Sequence, residues 1–161
     1  MKKQVTAALL TRAAMIAALY VVLTFVSNAF GLASGAIQVR ISEALCVMPV
    51  FFPEAVGGLT LGCFVANLLC GCAMPDVIFG SIATLIGAMG TRFLRKYRIP
   101  ALLPPIISNT VIIPLVLRYV YGLSDAWWYM IVTVCVGEIV SAGIFGYAFA
   151  RAFDKVIRKT Y

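Results

Sequence analysis

The sequence contains no histidine, only six acidic residues, and charged residues make up just 12% of its 161 positions. Without histidine there can be no HExxH zinc site and no Ser-His or Cys-His nucleophile–base pair. The chain also lacks a GxSxG elbow, a Walker A loop and any pair of aspartates within one helix, so no enzyme is expected. The shortage of charge excludes a water-soluble globule. Soluble domains are about half apolar and about a quarter charged, whereas this chain is 63% hydrophobic with a mean hydropathy of +1.02. Such a composition suits the lipid bilayer, where a spanning helix takes roughly 20 mostly apolar residues. The length admits about six or seven spans at most and leaves no room for a separate ATPase or nucleic-acid module.

The formal net charge is +7, from thirteen basic and six acidic residues. Eleven of the basic residues form three clusters: Lys2, Lys3 and Arg12; Arg92, Arg95, Lys96 and Arg98; Arg151, Lys155, Arg158 and Lys159. Each cluster lies at the end of an apolar run. That is the cytoplasmic bias of a membrane protein, and no nucleic-acid partner is expected. The first apolar run, 11–30, is long enough to span and reads as a retained helix, not a cleaved signal. Five cysteines (Cys46, Cys63, Cys70, Cys72, Cys135) lie mostly within apolar runs, where cysteine acts as a small hydrophobe. The Cys70–Cys72 CxC has no second pair and no histidine to complete it, so neither metal nor cofactor is expected.

Apolar stretches cover 11–30, 40–56, 57–73, 77–93, 101–119 and 127–150. Residues 44–73 form one long run, interrupted by Pro49, Pro53 and Gly57–Gly58. Proline removes a donor and clashes with the preceding turn, which predicts a hairpin near 53–58. Parity supports the split. The N-terminus and the 92–98 loop are both basic, hence both cytoplasmic, and an even number of spans must separate them. The expectation is an all-α integral membrane bundle of six helices, one domain over residues 1–161, with both termini cytoplasmic. Residues 31–40, 70–76 and 119–126 then face outward. Tyr119, Tyr121, Trp127, Trp128 and Tyr129 gather at the last of these turns, at headgroup level.

Polar residues inside a membrane are costly and mark functional sites by default. Arg40 and Glu43 begin the second helix, Asn67 lies in the outer half of the third, and Asp76 opens the fourth. Asn109 sits near the middle of the fifth, five residues before Pro114, whose missing N–H frees the carbonyl of Thr110. Glu138 lies about 16 Å into the sixth helix from its outer end, at 1.5 Å per residue. Only Glu54, at the inner hairpin, departs from this convergence on the outer half. An Arg40–Glu43 ion pair one turn apart and an N-cap role for Asp76 are the structural alternatives. Glu138 has no basic partner at its depth and stands out as the leading ligand contact. Small residues four apart recur as Ala13/Ala17, Ala14/Ala18, Gly58/Gly62, Ala83/Gly87 and Ala142/Gly146, faces that let a second helix approach closely. The two overlapping pairs on the first helix serve either internal packing or a partner helix.

The run AIQVRISEALCVMPVFFPEAVGGLTLGCFVANLL from Ala36 to Leu69 resembles the QueT family. So do the Pro75–Asp76 helix entry, the stretch SNTVIIP from Ser108, and Gly137–Glu138. The likeness covers nearly the whole chain. It implies the substrate-binding S component of an energy-coupling factor (ECF) transporter, a six-helix protein of the bacterial cell membrane. Such a subunit captures a queuosine precursor and docks on a transmembrane scaffold subunit carrying two ATPases. It also implies docking through an AxxxA face, here Ala13, Ala14, Ala17 and Ala18. A deazapurine with a guanine-like edge offers N1–H and an exocyclic amine, which a carboxylate such as Glu138 accepts together. Its carbonyl wants a donor such as Asn109, Asn67 or Arg40, and an aminomethyl group wants a second carboxylate, Glu43 or Asp76. Another vitamin-like heterocycle, or a proton-coupled carrier using Glu138, remains the alternative.

Overall fold

In a computed structural model of the chain, residues 7–32 and 38–160 are described, with side chains through residue 155. Lys2, Lys3 and the start of the Ala36 run lie outside the described residues, as do the side chains of Arg158 and Lys159. All regular structure among the described residues is helical.

The first helix, α1 (Ala7–Ala29), holds neither proline nor glycine and is 23 residues long. It ends at Gly31, whose φ of 68° is left-handed, and the Leu32 N–H turns back to the carbonyl of Ser27 at 2.9 Å. Glycine takes this conformation without a Cβ clash. Gly71 (φ 75°) ends α2 (Ala55–Leu69) in the same way. Next come α3 (Met74–Phe93) and α4 (Leu103–Tyr119), the latter preceded by a single 3-10 turn, Pro100–Leu102. The last rod is continuous. It comprises α5 (Trp127–Glu138), a π-helical segment Ile139–Phe145, and α6 (Gly146–Thr160).

The expected second helix over 40–56 is replaced by a ten-residue 3-10 helix, Ile41–Val50. Runs of 3-10 helix beyond three or four residues are uncommon. This one is encased, with Ser42 through Pro49 all buried and α1, α3, the π-helical segment and α6 packed around it. Pro49 cannot donate into an α ladder, and the guanidinium of Arg92 covers the free carbonyls of Pro49 (3.1 Å) and Val50 (3.4 Å). The chain turns at 51–54, slightly earlier than the expected hairpin, so Gly57 and Gly58 lie inside α2.

Among the described residues six helical rods result, and four are long and apolar enough to cross a membrane: Ala7–Ala29, Met74–Phe93, Pro100–Tyr119 and Trp127–Lys155. The 3-10 helix and α2 are shorter. Glycine sets the closest approach. A Cβ on Gly58 would lie 2.6 Å from the carbonyl oxygen of Ala13, and one on Gly62 would lie 2.9 Å from that of Ala17. The Ala13/Ala17 pair therefore packs inside the bundle against α2, while Ala14 and Ala18, one position on, stay exposed.

The two ends of the bundle differ in charge. One end carries Arg12, the 92–98 loop, Arg151 and Lys155. Here Arg12 pairs with Glu54 at 2.8 Å and Arg98 pairs with Asp154. The other end, where α1, α2 and α4 finish and α3 and α5 begin, gathers Arg40, Asn67, Asp76 and Tyr121.

Candidate functional site

Two adjoining cavities occupy that polar end. The outer one, about 540 Å³, is lined among others by Asn28, Arg40, Asn67, Cys72, Asp76 and Tyr121. The inner one, about 30 Å³, is bounded by Arg40, Glu43, Cys63, Asn109, Glu138 and others. Gln38, Arg40 and Ile113 line both. Small-molecule sites commonly measure 300–1,000 Å³, a range that includes the outer cavity. The inner one has room for a single water-sized group.

Each element brings its side chain for a local reason. Arg40 precedes the 3-10 helix in extended conformation (φ −103°, ψ 108°). Its backbone N–H donates to Ser141 Oγ at 3.1 Å, in the π-helical segment, and its Nη1 donates to Asn67 Oδ1 at 3.3 Å. The wider π-helical turn begins one residue after Glu138. π segments are frequent at functional sites.

One face of α1 holds the 3-10 helix in place. Tyr20, Thr24 and Ser27, spaced i, i+4, i+7, are all buried. The Tyr20 hydroxyl donates to Glu43 Oε1. Thr24 and Ser42 hydroxyls lie 2.9 Å apart, and Ser27 Oγ accepts the Ile41 N–H at 2.9 Å. Glu43 also accepts from the Cys46 thiol at 3.0 Å.

This geometry corrects two readings. Arg40 and Glu43 form no ion pair: Arg40 turns to Asn67, and Glu43 is held by Tyr20 and Cys46. Asp76 does not cap α3, since Ala73 is the N-cap residue and makes no side-chain cap bond. Asp76 sits in the first turn and accepts from the Tyr121 hydroxyl at 2.8 Å. Loss of solvent around the phenol and that bond to Asp76 push the Tyr121 pKa up to about 12.

Glu138 does have a partner, though not a basic one. Asn109 Nδ2 donates to its Oε1 at 2.9 Å, while its Oε2 is buried and has no hydrogen-bond partner. The Thr110 hydroxyl, one turn before Pro114 in α4, is likewise buried without a partner. Gly80 closes the site on α3, where an added Cβ would lie 3.0 Å from Asn67 Nδ2.

The six singled-out residues, Arg40, Glu43, Asn67, Asp76, Asn109 and Glu138, thus come together around the two cavities. Sequence reasoning missed Tyr121, which it assigned to the aromatic belt, and also Tyr20, Gln38 and Ser141. The i, i+4, i+7 polar stripe of α1 was the available signal for Tyr20.

Among known proteins, the family model described as QueT transporter matches residues 10–155. A Lactococcus lactis subsp. cremoris (strain MG1363) protein described as "Queuosine precursor transporter QueT" is 37% identical over 86 residues. The match covers 53% of this chain and 50% of that relative, so it spans about half the relative's length. No solved structure matches the chain.

Proposed function

The chain belongs to the QueT transporter family, and from that membership we propose that it is the substrate-capturing subunit of an ATP-driven importer for a queuosine precursor. In this reading the whole of residues 1–161 is one membrane-embedded S component of the bacterial cell membrane. Both termini are cytoplasmic, and the polar cavities open outward. The observation that carries the reading is the outer cavity, large enough for a bicyclic heterocycle and closed below by a pocket that is not.

Within it, Asp76 is the carboxylate for the N1–H and amine edge of a guanine-like ring. Arg40 and Asn67 supply donors for its carbonyl. Glu43, Asn109 and Glu138 form the floor. The Glu138 assignment to the ring edge is set aside here because the space beside it is small.

In this reading the energy comes from the partner ATPases. We assign docking on the scaffold subunit and its two ATPases to the exposed Ala14/Ala18 face. Ala13 and Ala17 are already engaged by Gly58 and Gly62.

The test is ligand-induced stabilisation of the purified chain, followed by reconstitution. Deazaguanines are expected to raise its melting temperature while thiamine and riboflavin do not, and uptake is expected only with scaffold, ATPases and ATP. Uptake by the chain alone, driven by a proton gradient, would replace this reading with a secondary carrier.

A further inference from the structure

The walls of the two cavities are unbalanced in charge. Three carboxyl groups, Glu43, Asp76 and Glu138, face one guanidinium, Arg40. Two of the three are supplied with hydroxyl or thiol donors: Glu43 from Tyr20 and Cys46, Asp76 from Tyr121. Glu138 receives a single amide, and its Oε2 is buried with nothing to accept. A buried carboxylate without a cation or a full set of donors is costly. Arg40 makes no ion pair with it, and its Nη1 is turned to Asn67.

Size divides the labour. The inner cavity of about 30 Å³ is far below the roughly 300–1,000 Å³ common for ligand sites and suits a small polar group. The outer cavity of about 540 Å³ admits the ring, and the two share Gln38, Arg40 and Ile113. Whatever reaches Glu138 is therefore a short substituent on a ligand whose bulk stays outside.

Resting on the reading above, we infer that the ligand is a cation, a deazapurine whose protonated primary amine enters the inner pocket and donates to Glu138 Oε2. An ammonium is close to water in size and carries three donors. It also supplies the positive charge that the site lacks. A second N–H of the ammonium falls to Gln38 or Asn109, residues that line the same space. A neutral substituent of equal reach, such as a nitrile, presents only an acceptor lone pair to a carboxylate and is repelled. Glu138 is thereby a specificity-determining residue that selects amine-bearing precursors from otherwise identical rings.

The experiment is calorimetric titration of the detergent-purified full chain with two deazaguanines, one aminomethyl and one cyano at the same ring position. The aminomethyl compound is expected to bind at least about 30-fold more tightly, the scale of one buried charge-assisted contact. Glu138→Gln should narrow the gap to under about threefold, because the charge that discriminates is gone. Equal or tighter binding of the cyano compound by the parent protein overturns the inference and leaves the proposed function standing. That comparison needs no variant, so a misfolded Glu138→Gln cannot obscure it. A folded Glu138→Gln that keeps the full preference also overturns it. Binding of neither compound removes the proposed function, and this inference falls with it.

Discussion

Asn109 on α4 reaches across to Glu138 on the last rod and donates to one of its two carboxyl oxygens at 2.9 Å. That amide joins two helices that are separated in sequence by the turn after Tyr119, and it fixes which oxygen is left for a ligand. Replacing Asn109 with Ala should free the carboxyl to rotate and leave both oxygens without a partner. Leaving a buried polar group unsatisfied costs about 1–3 kcal/mol, so thermal unfolding in detergent should fall by about 2–12 °C. Asn109→Asp, which restores bulk but adds a like charge, should be worse. A melting temperature unchanged by both would mean that the bond contributes nothing.

The two faces of α1 should respond oppositely to bulk. Ala14→Trp or Ala18→Trp, on the exposed face, should abolish transport by the assembled importer while ligand binding to the isolated chain persists. Ala17→Trp, buried against Gly62, should cost folding itself and be seen as loss of monodisperse protein on gel filtration. Parallel loss of binding at all three positions would show that the exposed face also serves internal packing.

Gly58→Ala tests the close approach directly. Its new Cβ would lie 2.6 Å from a backbone oxygen of Ala13, which cannot swing aside as a side chain could. Overpacking of this kind costs about 1–3 kcal/mol. Gly57→Ala, one residue earlier, meets nothing within 4 Å and should be neutral or slightly stabilising, since alanine is the better helix former. The pair is best compared by thermal melting in the same detergent. Equal behaviour would refute the α1–α2 contact.

Tyr121 supplies a spectroscopic test. Its pKa is raised to about 12, so the folded state favours the protonated phenol. The sign follows directly: this stabilisation is fully present below the ordinary phenol value of about 10 and is lost as pH rises through about 12. Between pH 6 and 9 the phenol stays protonated, so its bond to Asp76 should add no pH dependence of its own to ligand affinity. Absorbance titration of phenolate should show the late-titrating amplitude fall by one tyrosine in Tyr121→Phe. An unchanged late component in that variant would place the shift on another residue.

The helical character and the positions of four long rods were legible because long apolar runs in lipid leave helices as the economical choice. The polar convergence was legible too, since counting residues from each turn sets depth along a helix. Rotation about the axis was not. Asp76 and Tyr121 are 45 residues apart in sequence, and nothing local indicates that a tyrosine in an aromatic turn reaches back to a carboxylate. The 3-10 helix escaped notice because its cause is tertiary. Ser42–Pro49 is enclosed on all sides, and neighbours, more than propensity, decide its winding. Small-residue spacing gave two registers on α1 with equal claims. Only the partner glycines on α2 separate them.

The polar stripe of Tyr20, Thr24 and Ser27 grips the helix that carries Glu43, while the Ala14/Ala18 face of the same rod stays bare. In the proposed importer one rod would thus be shared between what captures and what docks. Linkage then imposes a reciprocity on the importer: if the scaffold shifts α1 and weakens ligand affinity by some factor, bound ligand must weaken docking by that same factor. Release to the inside and return of the empty subunit would be two readings of one coupling free energy.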